Sequence, residues 1–133
     1  MAETRAPAAR PLSPHLQVYR LTLTMVMSGA HRVTGIFLYV GMAIVAWWLI
    51  AAASGPNAYA NVQWFMGTWF GRFVLLGYTW TLFHHTFGGI RHLIWDTGHG
   101  FNPREIDWLA RATIGGSVAL TLLVAVVSYL VMG

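Results

Sequence analysis

The chain has 133 residues, 56% of them hydrophobic and only 9% charged, with eight Arg, no Lys and four acids giving a net charge of +4. A soluble domain carries about a quarter charged residues, so this composition argues against a soluble enzyme, a disordered chain and a free-standing nucleic-acid binder. Cysteine is absent, which removes disulfides, thiolate metal sites, iron–sulfur ligation and covalent haem attachment, and leaves six His as ligands or proton carriers.

The first ten residues, MAETRAPAAR, are polar. They are too short for a transit peptide and lack the apolar core of a signal peptide, which favours a bacterial inner-membrane protein over an imported precursor. Three runs then approach the roughly 20 mostly apolar residues that a membrane helix needs. The first, Val33 to Ala53, is uncharged, and helix extends back to near Leu21 through a stretch free of charge and proline. Ser54-Gly55-Pro56-Asn57 stops it. Ala58 to Gly71 contains Trp64, Phe65, Trp69 and Phe70 and reads as an interfacial segment. The second run, Phe73 to Trp95, holds Arg91 and three His, and is polar enough to need a partner. Thr97 to Pro103 ends it, and Arg104 to Arg111 lies at the surface. The third run, Thr113 to Met132, is again uncharged.

The reading is one all-α integral membrane domain over 1–133, with an inner-side leader over 1–20 and three transmembrane helices at about 22–53, 62–96 and 108–132. With three spans the N-terminus and the second connection share a side. Arg5, Arg10, Arg20, Arg32, Arg91, Arg104 and Arg111 fall on or near that side, and only Arg72 falls on the other. By the positive-inside rule the N-terminus is inside.

Ionisable groups within a membrane helix face a bundle interior, a cofactor or a proton path. His85 lies about 15–18 Å from either end of its run, near mid-depth. Gly88, Gly89 and His92 follow at i+3, i+4 and i+7 on one helix face. Two glycines beside a mid-membrane His leave a flat hollow for a haem plane, or else mark close helix packing. His84 is the rival ligand, about 100° around the helix, where a hydrogen-bonded packing role suits it better. Arg91 and His92 lie roughly 10 Å inward of His85. There they would neutralise haem propionates, or Arg91 would snorkel to the interface or pair with Asp96. On the first helix Ser28, His31 and Arg32 share a face near the inner end, followed by Gly35. A hydroxyl beside a fixed cation suits a quinone carbonyl that gains an electron and then a proton. The alternative is a helix-end anchor with Ser28 bonded back to its own i−4 carbonyl.

These residues resemble the cytochrome b membrane-anchor subunits of succinate dehydrogenase, respiratory complex II. Arg10-Pro11-Leu12-Ser13-Pro14-His15 with Tyr19, Ser28-x-x-His31-Arg32-x-Thr34-Gly35, and His85-x-x-x-Gly89-x-Arg91-His92-x-x-x-Asp96 follow one another in the order and spacing of that family. The resemblance implies that His85 is an axial ligand to the iron of a haem b, with the other ligand supplied by a second small anchor subunit. It implies that Ser28 and Arg32 line a ubiquinone site and that His31 lies by the haem propionates, with Arg32, Arg91 and His92 as further haem propionate or pocket candidates. It also implies a flavoprotein partner that oxidises succinate, and an iron–sulfur partner seated against the leader from Pro11 to Tyr19. A fumarate reductase anchor, or a haem-free structural anchor, are the alternatives.

Overall fold

A computed structural model describes residues 20–132. Four helices follow in order: α1 Leu23–Ser54, α2 Pro56–Gly67, α3 Trp69–Asp96 and α4 Pro103–Met132. The leader motif from Arg10 to Tyr19, with its implied seat on an iron–sulfur partner, lies outside the described residues.

Local chemistry sets the breaks between helices. α1 ends where Gly55 takes a φ of 118°, a conformation that side-chain-bearing residues avoid, and Pro56 then opens α2. The second break is a correction to the span expected over 62–96. Val62 to Gly67 belongs to α2, and α3 begins at Trp69. Thr68 makes the corner. Its hydroxyl donates to the Phe65 carbonyl at 2.6 Å and accepts from the Gly71 N–H at 3.0 Å. Gly71 is required there, because a Cβ would strike the Phe65 carbonyl oxygen. α3 closes at Thr97, Gly98 and Gly100 turn at positive φ, and the Trp95 indole donates to the Gly100 carbonyl at 3.1 Å. α4 starts at Pro103, earlier than the expected 108. Asn102-Pro103-Arg104-Glu105 forms a reciprocal cap, with the Asn102 side chain accepting from the Arg104 N–H and the Glu105 carboxylate accepting from the Asn102 N–H. The segment expected on the surface between Arg104 and Arg111 is mostly exposed, and it forms the first turns of that helix.

α1 and α3 run antiparallel and approach closely. Side chains of one helix fill glycine notches of the other: Tyr78 at Gly41, His85 at Gly35, and His31 at Gly88. Small residues allow such approach where apolar solvent gives helices no hydrophobic reason to associate. α3 and α4 also pair antiparallel, with Phe87 over Gly116 and His84 beside Ser117.

The interior is polar and the exterior apolar. Among the described residues Thr34, Thr81, His84, Arg91, Thr113, Ser117 and Thr121 are buried, against only Met27, Ala51, Val62 and Ala110 on the apolar side. Ile36, Phe37, Val40, Ile50, Leu122, Leu123 and Val126 point outward. A water-soluble protein has the reverse distribution. α1 and α4 are long and apolar enough to cross a membrane by length and composition. α3, at 28 residues, reaches about 42 Å but carries Arg72, Arg91 and Asp96.

Candidate functional site

The α1–α3 seam gathers the polar residues of both motifs. His31 and Thr34 sit on successive turns of α1, and His85, Gly88 and His92 on α3. The His31 and His85 rings stack with centroids 3.9 Å apart and planes 7° from parallel. The His92 ring is tilted toward His31 at 5.3 Å and meets Trp95 edge-on at 5.2 Å.

Hydrogen bonding fixes the tautomer of His85. Its Nδ1 lies 3.1 Å from the His31 carbonyl oxygen and 3.1 Å from the Thr34 hydroxyl. Thr34 spends its only proton on the same carbonyl, at 2.9 Å. A carbonyl cannot donate and the hydroxyl proton is already engaged, so Nδ1 must carry the hydrogen. In neutral imidazole the lone pair is then on Nε2.

His84 stands in different surroundings. It is 3% exposed and lies against α4, its Nδ1 at 3.4 Å from the Ser117 hydroxyl, with the Trp80 ring 5.1 Å away. Ser117 donates to the Ile114 carbonyl at 2.9 Å, so His84 also donates through Nδ1. The neighbouring histidine is packed inside this chain, whereas His85 is half-buried on the opposite seam.

The glycine hollow expected beside His85 is divided. Gly88 is occupied by the His31 ring, since a Cβ there would collide with it, and Gly89 faces open space. The α1 helix, carrying its own imidazole, uses the first notch, so Gly88 serves helix packing.

Arg91 neither snorkels nor pairs with Asp96. It is 4% exposed, its Nε and Nη1 are buried without a hydrogen-bond partner, and its guanidinium carbon lies 5.2 Å from the centroid of the Trp95 ring. The cation–π contact offsets part of its desolvation, while Asp96 points outward. His31 Nδ1 is likewise buried without a partner.

Ser28 and Arg32 are exposed at the start of α1, one turn apart. The back-bond to the i−4 carbonyl does not form at Ser28. Thr34, Ser54, Thr79, Thr113, Ser117 and Thr121 all donate to backbone carbonyls of their own helices, whereas the Ser28 hydroxyl has no partner among the described residues. Residue patterning missed the part Thr34 plays. Its i+3 spacing from His31 was visible, but its reach to His85 exists only across the helix pair. Among the described residues no group of three or more His, Asp or Glu is arranged to hold a metal ion.

Residues 6–124 match the model of the succinate dehydrogenase/fumarate reductase transmembrane subunit family. The chain is similar to the succinate dehydrogenase cytochrome b556 subunit of Paracoccus denitrificans, at 42% identity over 120 residues, covering 90% of this chain and 92% of that one. It is similar to the subunit of the same name from Rickettsia felis, at 35% identity, covering 86% and 89%. It is also similar to the mitochondrial succinate dehydrogenase cytochrome b560 subunit of Sus scrofa, at 36% identity, covering 86% of this chain and 66% of the other.

Proposed function

We propose that this chain, which belongs to the succinate dehydrogenase/fumarate reductase transmembrane subunit family, is the cytochrome b anchor of a bacterial succinate:quinone oxidoreductase. On this reading it supplies one axial ligand to a b-type haem and half of a quinone site. The names of its relatives, cytochrome b subunits of succinate dehydrogenase, support that placement and favour the succinate-oxidising direction over a fumarate reductase.

The observation that carries the reading is the hydrogen bonding of His85. An axial imidazole needs an available Nε2 lone pair and a fixed ring, and ligating histidines generally donate their other N–H to a carbonyl or carboxylate. His85 meets both conditions through the His31 carbonyl. The donor set fits a haem further along the seam. The two unpartnered nitrogens of Arg91 and the unpartnered His31 Nδ1 are groups that propionate oxygens would satisfy, with His92 beside them. A haem bound there would take up and release one electron at a time. On this reading the second axial ligand comes from a second small anchor subunit.

Ser28 and Arg32 do the quinone chemistry. The free hydroxyl of Ser28 donates to a ubiquinone oxygen, and the Arg32 guanidinium, one turn on, stabilises negative charge as that oxygen is reduced. Electrons arrive from an iron–sulfur partner fed by a flavoprotein that oxidises succinate. Both quinone residues lie at the Arg-rich end of α1, which the positive-inside rule puts at the inner face of the bacterial inner membrane, with three spans formed by α1, α3 and α4. Protons therefore come from the inner aqueous side.

The test is a dithionite-reduced minus oxidised spectrum of the assembled complex. The b-type α-band disappears in His85→Ala and persists in His84→Ala. The opposite pattern rejects His85 as ligand, and no b-type signal in the unsubstituted complex leaves a haem-free anchor.

A further inference from the structure

We infer that Thr34 is the positioning residue of the axial ligand, its hydroxyl oxygen sharing with the His31 carbonyl the task of holding the His85 ring in the Nδ1–H tautomer at a fixed rotation. The inference rests on the reading of His85 as ligand and goes beyond it, to a side chain on the opposite helix.

Three observations carry it. The first is the proton count: one hydroxyl proton, engaged by the His31 carbonyl at 2.9 Å, leaves Thr34 Oγ1 as an acceptor 3.1 Å from His85 Nδ1. The bond is three-centred, because the His31 oxygen lies at the same 3.1 Å from that nitrogen. The second is burial. Thr34 is 2% exposed, so water has little access to replace its hydroxyl. The third is the adjacent residue. A Cβ on Gly35 would come within 3.1 Å of His85 Cε1, so Thr34 grips the ring where Gly35 makes room for it. Thr113 and Thr121 also donate to carbonyls of their own helix, four residues back. Thr34 donates three residues back, to His31, and also reaches across to α3.

The chemistry has a definite sign. Acceptors on the distal N–H make a ligating imidazole more basic, which strengthens its bond and favours the oxidised metal. Removing one of two acceptors weakens both effects. Thr34→Val keeps the shape and deletes the acceptor, whereas Thr34→Ser keeps the hydroxyl.

The experiment uses the full assembled complex. Redox titration of the b-type signal, the ferric haem electron paramagnetic resonance spectrum, and haem retained per complex are measured for Thr34→Val, Thr34→Ser and His85→Ala. Thr34→Val is expected to retain haem about tenfold less tightly. Its reduction equilibrium is expected to shift toward the reduced form by up to about tenfold, equivalent to a rise of about 59 mV for one electron. Its resonance spectrum should broaden as the ring rotation is freed, and Thr34→Ser should restore all three readouts. A packing role alone would lower assembly yield without moving the potential. Wild-type potential and resonance spectrum in Thr34→Val, together with haem loss in His85→Ala, overturn the role of Thr34 alone. Haem retained in His85→Ala overturns the ligand assignment and this proposal with it. If Thr34→Val does not assemble, Thr34→Cys, whose sulfur is a weaker acceptor, must move the potential in the same direction. An unchanged value there overturns the proposal equally.

Discussion

Ser28 and Arg32 differ from the histidines in what they touch. Neither hydrogen-bonds His85, whose partners are Thr34 and the His31 carbonyl, and both are exposed, so substitutions there should separate the proposed quinone chemistry from the haem. Loss of a hydrogen bond to a group that becomes charged costs about 1.5–3 kcal/mol, or roughly one to two powers of ten. Ser28→Ala should therefore lower quinone reduction by about tenfold or more with an unaltered reduced-minus-oxidised spectrum. Arg32→Leu should lower it further than Arg32→Lys, which keeps the charge and loses the planar fork. Full activity in both Ser28→Ala and Arg32→Leu would remove these two residues from the site. The candidate site residues could be picked out because their types and spacings are local. Their partners were not. His84 and His85 are adjacent in sequence, yet one meets Ser117 on α4 and the other Thr34 on α1, and which helix covers which face is decided by packing over 33 and 51 residues of separation. The same holds for Arg91, whose burial against Trp95 depends on α3 being covered by its neighbours.

Helix pairing puts its tightest contact at Gly41. A Cβ there would fall within the Tyr78 ring, whereas Gly77, on the same stretch of α3, meets nothing within 4 Å. Overpacking a close contact costs about 1–3 kcal/mol. Gly41→Val should therefore lower the thermal midpoint of the detergent-solubilised complex by several degrees, and Gly77→Ala should leave it unchanged. Equal effects of the two would mean that α1 and α3 do not approach at these notches. At this scale the long helices follow from uninterrupted apolar runs, and the Gly55-Pro56 corner from residue type alone. The start of α4 was misplaced at 108, although Asn102-Pro103-Arg104-Glu105 is a capping sequence that marks the earlier start. The corner at Thr68 was hidden. Apolar residues continue through it, Thr is no strong breaker, and the bend depends on Gly71 admitting the Phe65 carbonyl one turn away.

Across the described residues, a polar interior within an apolar exterior suits a bilayer, and the charge distribution predicts its orientation. Antiparallel pairing of α1 with α3 and of α3 with α4 carries Arg20, Arg32, Arg91, Arg104 and Arg111 to one end and Arg72 to the other. If α3 spans despite Arg91 and its three histidines, the α1–α2 corner and the α3–α4 turn lie on opposite faces of the membrane. The absence of native cysteine makes this directly measurable. Asn57 and His99 are both exposed, one near each connection, and each is replaced singly by Cys in the assembled complex. In spheroplasts an impermeant maleimide should label Asn57→Cys directly and His99→Cys only after the membrane is opened. Labelling of both from the same side would mean that α3 does not cross, and it would separate the Arg91 end of α3 from Ser28 and Arg32, the residues proposed for the quinone. Opposite-side labelling with the reverse order would keep three spans but put Ser28 and Arg32 at the outer face, so that reduction there would draw protons from outside. The order of labelling therefore decides the proton source for the proposed quinone site, which Ser28 and Arg32 by themselves leave open.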